Sequence, residues 1–341
     1  MKKLILYLFL ISNILFSCQN KAMQKYDWLP TSSAPKLYPT AIYNGHLYLE
    51  DGNQVYIPTA AANNPGWGYS GSLHSQGDDL KAIPVKLEIT WASFKENKFY
   101  TGSWDLPVEK IKQLFEKGTI DWRTNKPSNY NQVVVGCAPG GVVVVWLYGD
   151  DQQIEISRFQ AKETHIDMKD FSPYAQVPQN EYFKTLGELT PDLEKEFEKK
   201  GLQYDIWETY RKKYTWKTSI EIPNHTLQNV NIEMFNGDEE TLFNESVKQN
   251  PFKKRAIPRL ISYIFDDKNG KQTVFEIKYF DEKEIFSLVK KFDENQPIEI
   301  VLKMDENLGN KRLVMKQGNS ELPIQKIDFD NMWEYKKYKS K

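Results

Sequence analysis

The stretch Lys81-Ala82-Ile83-Pro84 recurs 174 residues later (from Lys81 to Arg255) as Arg255-Ala256-Ile257-Pro258. Each occurrence is followed by alternating apolar residues, which is typical of a half-buried β-strand. A polar turn and a second aromatic segment follow both alternations, so we predict a hairpin in each place. The alternating residues are Leu87, Ile89 and Trp91 in the first copy and Ile261, Tyr263 and Phe265 in the second.

A helix is predicted after each hairpin. In the first copy, Asp105 can accept amide hydrogens of the first turn, Pro107 suits an early helical position, and Gly118 can end the helix. In the second copy, Asp281 and Glu284 have the spacing of a capping box. Further β-rich segments follow both helices, so each copy has the same predicted order of elements.

The predicted fold class is α+β, with two tandem related domains that are each a mainly antiparallel β-sheet with one packed helix. Chance recurrence of common elements is the alternative. Between the copies, Thr190-Pro191 opens a charged helix that ends at Gly201, and Ile206 begins a shorter one. The predicted parts are a first domain over 26–189, a helical connector over 190–214 and a second domain over 215–341.

The first residues have the pattern of a lipoprotein signal peptide. Lys2 and Lys3 precede an apolar run from Leu4 to Phe16, which is shorter than the about 20 residues of a membrane-spanning helix. The tetrad Leu15-Phe16-Ser17-Cys18 resembles the bacterial lipobox. We therefore expect a signal peptide over 1–17, a lipidated Cys18 that contacts the bilayer, and a tether over 18–25. An ordinary signal peptide with a chance cysteine is the alternative.

Composition narrows the remaining possibilities. The net charge is −1, with 45 basic and 46 acidic residues interspersed, which is not typical of a nucleic-acid-binding protein. Lipidation of Cys18 would leave Cys137 as the one other cysteine, so no intramolecular disulfide is expected. The segment Gln19-Asn20-Lys21 has no acidic run, and we expect an outer-membrane anchor that faces the periplasm.

No catalytic or metal-binding motif is readable. His46, His74, His165 and His225 lack the spacing of zinc ligands, and no nucleophile elbow or phosphate-binding glycine-rich loop occurs. Cys137 has no recognisable basic partner in the sequence, so a small apolar role at a strand end is the simpler interpretation. We expect no cofactor, no metal and no catalytic residue, and we favour a protein that is not an enzyme.

One loop differs from the rest of the chain. The segment from Thr59 to Asp79 is rich in Asn, Gly, Ser and Ala and carries Trp67, Tyr69 and His74. Long irregular loops in compact domains are often functional. These three residues are the candidate partner-binding residues, with Trp67 as an exposed anchor. Packing of Trp67 onto the sheet is the alternative.

The first copy resembles the bacterial lipoproteins known as domain of unknown function 2931, over about residues 26–161. The resemblance implies no established activity or catalytic residue. Some members of that family resemble periplasmic immunity proteins that neutralise lipase effectors of type VI secretion. The matching stretches are Tyr26-Asp27-Trp28 with Pro30, Gly66-Trp67-Gly68, Leu87 to Trp91, Phe99 to Trp104, and Ala138-Pro139-Gly140-Gly141 leading to Val142 through Trp146.

Two functions remain open from the sequence. The first is a membrane-anchored, non-enzymatic binding protein, with a secreted lipase effector as the partner that the resemblance implies. The second is an envelope lipoprotein that binds or cleaves glycans, with Trp67, Trp91, Trp104 and Trp122 as candidate sugar platforms. A protruding Trp67 loop favours protein binding, whereas an aromatic-floored cleft with two facing carboxylates favours sugar chemistry.

Overall fold

The computed structural model describes residues 23–59 and 62–335. The predicted signal peptide, Cys18 and the first part of the tether lie outside the described residues. Within the described ranges, no helix is long and apolar enough to cross a membrane.

Residues 26–164, called here the first half, are mostly β-strand, with one α-helix and a short 3-10 helix (Pro139–Gly141) among the described residues. In chain order the elements are β1 (Tyr26–Asp27), β2 (Leu29–Ser33), β3 (Thr40–Leu49), β4 (Gln54–Tyr56), β5 (Leu80–Lys81), β6 (Pro84–Ser93), β7 (Lys98–Asp105), α1 (Val108–Lys117), β8 (Thr119–Asp121), β9 (Lys126–Ser128), β10 (Gln132–Ala138), β11 (Val142–Gly149), β12 (Gln152–Gln160) and β13 (Lys162–Thr164).

Helices then lead to residues 214–334, called here the second half. The helices between the halves are α2 (Met168–Phe171), α3 (Gln179–Leu186), α4 (Pro191–Lys200) and α5 (Ile206–Arg211). The second half contains β14 (Tyr214–Glu221), β15 (His225–Met234), β16 (Glu239–Phe243), α6 (Glu245–Gln249), β17 (Lys253–Arg255), β18 (Pro258–Asp267), β19 (Gln272–Ile277), α7 (Glu282–Val289), β20 (Ile298–Lys303), β21 (Arg312–Gln317), β22 (Ser320–Ile324) and β23 (Met332–Glu334).

The larger sheets have the strand orders β13-β7-β6-β3-β4, β17-β14-β20-β21-β22 and β2-β10-β11-β12-β16-β15-β18-β19-β23. The first half thus contributes β4-β3-β6-β7-β13 and β2-β10-β11-β12, and the second half contributes the matching orders β16-β15-β18-β19-β23 and β14-β20-β21-β22. The pairs β2–β10 and β14–β20 are both parallel, whereas the other pairs are antiparallel. The nine-stranded sheet crosses between the halves at one backbone pair, Gln153↔Glu239.

The α+β class and the mainly antiparallel pairing agree with the sequence prediction. The expected single sheet per half is replaced by two sheets, because the strands before and after the hairpin region pair with each other and not with the hairpin. One apolar cluster in each half joins both sheets and the helix. In the first half it includes Trp28, Leu47, Trp91, Phe115 and Val143.

The valine-rich strands β10 and β11 have both faces buried. Val133 and Val135 belong to the core between the two sheets of the first half. Val134, Val144 and Trp146 face the other way, into a cluster covered by helices α4 and α5 and the loop that carries Trp67. A strand buried on both faces has a continuous apolar sequence, which explains the run from Val142 to Trp146.

The predicted helix boundaries are confirmed with one exception. Helix α7 has Asp281 as its N-cap, and the Asp281 carboxylate accepts the backbone N–H of Glu284. Helix α1 has Pro107 at this position, and the proposed cap Asp105 was wrong. Asp105 is the last residue of β7, where its backbone pairs with Lys86. It therefore lies in a strand and not at the start of the helix.

Candidate functional site

A cleft of about 510 Å³ lies where the two halves and the connecting helices meet. We call it the Trp67 cleft. The first half supplies two loops, the connector supplies one side of helix α4 and of helix α5, and the second half supplies the opposite wall. Its lining is Pro35, Lys36, Leu37, Tyr38, Gly66, Trp67, Tyr69, Leu193, Glu196, Lys200, Gln203, Ile206, Trp207, Tyr210, Phe235, Arg259, Tyr279, Phe280 and Glu282.

A larger depression of about 1060 Å³ lies on the second half, and its described lining includes Ile220, Pro223, Met304 and Arg312. It is shallower than the Trp67 cleft, and the lining comes from one half alone. A ligand there would remain largely exposed to solvent. The Trp67 cleft is the better candidate because buried rings form its floor and three parts of the chain converge on it.

Trp67 lies on the floor of the cleft and is 7% exposed. Its ring meets the Trp146 ring edge-on at 5.0 Å and the Trp207 ring at 5.2 Å. Gly136 makes room beneath, since a Cβ atom there would lie 2.9 Å from the Trp67 ring. Of the two alternatives for this loop, the structure has Trp67 packed onto the sheet, with its ring forming part of the cleft surface.

Arg259 holds the Trp67 loop from the second half. Its guanidinium donates to the backbone oxygen of Trp67, lies 4.2 Å from the centre of the Tyr69 ring, and pairs with Glu233 at 3.2 Å. The Tyr69 hydroxyl donates to the same Glu233 carboxylate. Burial raises the pKa of Tyr69, although the charge of Arg259 partly opposes the shift, so the phenol remains a donor. The Trp67 loop of the first half is therefore held in place by Arg259 of the second half.

The Lys200 ammonium joins two walls at the rim. It lies 2.8 Å from the carboxylate of Glu196 on α4 and 3.3 Å from that of Glu282 on α7. Burial acts to lower the pKa of Lys200, but the hydrogen bonds to both carboxylates and their charges raise it overall. These three groups give the rim fixed donors and acceptors.

Aromatic rings complete the opposite wall. Tyr210 of α5 stacks on Phe235 at 5.1 Å and on Phe286 at 5.9 Å. Burial, followed by the nearby Glu282, raises the pKa of Tyr210 well above its usual value. At the rim, the Lys36 ammonium lies 5.4 Å from the centre of the Tyr279 ring, and Tyr279 is 62% exposed.

Of the three candidate partner-binding residues, Trp67 and Tyr69 lie together in the cleft, whereas His74 is exposed further along the loop and is absent from the cleft lining. Cys137 is completely buried, and burial raises its pKa far above the usual value, so it is held as a thiol. Among the described residues, no cluster of His, Cys, Asp and Glu has the geometry to hold a metal ion.

Sequence reasoning missed the second-half contributors, chiefly Phe235, Arg259, Tyr279 and Glu282. They lie far along the chain from Trp67, and the repeat motif and the capping pattern beside two of them were interpreted as features of the fold. One signal was present: at the repeat spacing Arg259 corresponds to Val85, and a charged residue in place of an apolar one marks a position that the two copies do not share.

Three comparisons with known proteins bear on this chain. A family model described as "Protein of unknown function (DUF2931)" matches residues 17–205. The matched range includes the Trp67 loop and helix α4 and stops before helix α5. No curated protein and no solved structure matches the chain.

Proposed function

The chain belongs to the DUF2931 family of proteins of unknown function, and on that premise we propose that it is a membrane-anchored, non-enzymatic binding protein that uses the Trp67 cleft. The observation that carries the proposal is the fixing of the Trp67 loop by Arg259. A site whose walls are held in place before binding loses little conformational entropy when a ligand arrives.

The proposed anchor is a lipid on Cys18. Tyr26 pairs with Lys81 in a two-stranded sheet, so the first strand begins eight residues after that cysteine in the sequence. A short tether would keep the cleft close to the membrane and raise its effective concentration toward any partner acting there. We propose the periplasmic face of the outer membrane as its location.

The partner class that the family resemblance implies is a lipase effector of type VI secretion. Because Trp67 is buried, it would not insert into the active-site mouth of such an enzyme. In this proposal the lipase instead contacts the rim of the Trp67 cleft, where Tyr279 is exposed, and the bulk of the lipoprotein covers its active site.

We also propose that the two halves are tandem related domains, with the connector over 190–214 between them. The equal strand orders support this, as do two matching contacts. The indole N–H of Trp28 donates to the backbone oxygen of Ala82 at 3.3 Å, and that of Trp216 donates to Ala256 at 3.0 Å. Ala82 and Ala256 are equivalent residues of the sequence repeat.

The anchor is tested by growing cells with labelled palmitate. We expect label on the wild-type chain and none on a Cys18→Ser variant, which should leave the membrane fraction. Equal labelling of both chains would contradict the lipid anchor.

The cleft is tested with the mature chain from Gln19 onward as bait for proteins of its own cells. We expect a stoichiometric partner on the wild-type bait and its loss on a Tyr279→Ala bait, because Tyr279 is an exposed ring of the cleft rim. Tyr174→Ala is the matched control, since Tyr174 is 93% exposed and lies outside the cleft lining. A partner that both variants retain would place the binding surface elsewhere.

A further inference from the structure

The shape of the Trp67 cleft suits a small ligand. Its volume falls in the range of roughly 300–1,000 Å³ that is usual for small-molecule sites. The floor is made of the nearly buried rings of Tyr38, Trp67 and Trp207, which are 3%, 7% and 3% exposed. A protein partner would have to bury further surface around the cleft, about 800 Å² per side in a stable complex. The interior of the cleft itself matches a compact ligand.

The charges of the cleft cancel. Lys200 is paired with both Glu196 and Glu282, and Arg259 is paired with Glu233. Lys36 adds a third cation at the rim, where it contacts the Tyr279 ring, and Glu233 balances the count from outside the cleft lining. Because Lys200 and Arg259 are already paired, a strongly charged ligand would gain little net attraction from them.

The remaining chemistry is the exposed ring of Tyr279 and the small exposed parts of the floor rings, beside fixed polar groups. The faces of Tyr and Trp rings carry partial negative charge and attract the weakly positive C–H groups of a ligand. Glu196, Lys200 and Glu282 offer charged acceptors and a charged donor at the rim, and such groups make strong hydrogen bonds to neutral hydroxyls. A ligand with both a C–H face and a ring of hydroxyls satisfies both surfaces.

We infer that the ligand of the Trp67 cleft is a neutral saccharide, whose ring packs on the aromatic surface while its hydroxyls bond Glu196, Lys200 and Glu282. This inference rests on the proposal that the cleft is the binding site. Glu196 and Glu282 both contact the Lys200 ammonium, so one donor lies between two acceptors at the rim.

The test uses the mature chain from Gln19 onward with neutral trisaccharides of glucose, mannose and N-acetylglucosamine, and with a glucuronic acid trimer as the charged comparison. Binding is followed by tryptophan fluorescence, because Trp67 and Trp207 form the floor, and by calorimetry. We expect saturable binding of at least one neutral trisaccharide, with an affinity that changes little when salt is raised above about 0.15 M. Tyr279→Ala should weaken it about tenfold, and Tyr174→Ala should leave it unchanged.

Thermal melting of both variants shows whether they are folded. Because Tyr279 is exposed, its replacement should leave the fold intact, so weaker binding would reflect the loss of the ring. Binding of the charged trimer alone, with a steep dependence on salt, would overturn the inference. So would the absence of binding by every saccharide. In that last case, a captured protein that Tyr279→Ala releases would leave the proposed binding function standing, whereas failure of both experiments would remove both proposals.

Discussion

The two halves share an internal frame and differ at their surfaces. In the first half, the turn between β3 and β4 is closed by the backbone N–H of Leu49, which donates to the backbone oxygen of Asn53. The next N–H, that of Glu50, donates to the backbone oxygen of Ile83. In the second half, Met234 donates to Asp238 and Phe235 donates to Ile257 in the same way. The backbone pattern is the same, but a charged Glu50 stands where the second half has the aromatic Phe235.

The same contrast recurs along this face. The N–H of Leu106 donates to Val85, and that of Phe280 donates to Arg259, so Val85 and Arg259 occupy matching places. Phe235 and Arg259 both line the Trp67 cleft. The difference shows that the candidate site is built on positions where the second half departs from the first, while the buried frame stays alike.

The largest expected effect concerns the first residue of the repeated motif. Arg255 and Lys81 are 3% and 4% exposed, but Arg255 is paired with Glu240 at 2.6 Å and donates to the backbone oxygen of Trp216 at 2.8 Å. Lys81 contacts the backbone oxygen of Asp79 at 3.4 Å. Arg255→Met leaves the buried Trp216 oxygen without the Arg255 donor and leaves Glu240 with Lys253 as its one cation partner among the described residues, so it should lower the free energy of unfolding by about 3–5 kcal/mol.

The matched substitution Lys81→Met should cost about 1 kcal/mol or less, because methionine keeps most of the packing and no carboxylate pairs with Lys81 among the described residues. Urea denaturation of both variants measures the two free energies. Equal losses would mean that the two motifs contribute alike and that the Glu240 pair has no special importance.

The frame was the predictable part of this molecule. The repeat, the alternation around Trp91 and the ends of the connector helices were predictable because each depends on residues that are close together in the sequence. The pairing of β2 with β10 was not predictable from such patterns. Neither was the second sheet in each half, because strands distant in sequence form it.

The candidate site was predicted in part. Trp67 and Tyr69 were predicted because they lie in a long irregular loop, but the residues that contact them were not predicted. Arg259 reaches the loop from 192 residues away in the sequence, and a single-sequence pattern contains no signal for a contact of that separation. The packing of Trp67 likewise involves Gly136, which lies close to its ring and is remote in sequence.

An intermediate effect is expected at Glu239, which lies at the backbone pair that joins the halves. Burial raises its pKa to about 7, with the charges of Glu233 and Asp151 adding to the shift, while the hydrogen bond from Asn231 and the charge of Arg259 oppose it. The matching residue of the first half is the exposed Gln54, since Tyr48↔Gln54 and Glu233↔Glu239 are equivalent pairs.

A carboxyl whose pKa is higher in the folded state binds its proton more tightly there. The contribution of Glu239 to stability should therefore fall as the pH rises from about 4.5 to about 7 and stay lower above that range. Glu239→Gln removes this loss, so it should stabilise the protein at pH 8 by on the order of 3 kcal/mol and change little at pH 4. Gln54→Glu is the control and should leave the pH profile unchanged. Parallel profiles for wild type and Glu239→Gln would refute the role of burial.

The smallest expected effect concerns the N-termini of helices α1 and α7. The Asp281 carboxylate bonds the N–H of Glu284 at 2.8 Å, and this bond is the main cause of its lowered pKa. Asp281→Ala should lower the free energy of unfolding by about 1 kcal/mol, the usual effect of losing an N-cap. Asp105→Ala should cost less, because Asp105 is exposed at the end of a strand and the N-cap of that helix is Pro107.

A lowered pKa contributes stability that is present above the usual value of 3.8 and is lost as the pH falls through the folded-state value. The difference between Asp281→Ala and wild type should therefore shrink in acid, while any small effect of Asp105→Ala follows no such trend. Thermal denaturation at pH 7 and in mild acid measures both variants. If Asp105→Ala proved as costly as Asp281→Ala, the two helices would begin alike, and the contrast between the halves would not extend to their caps.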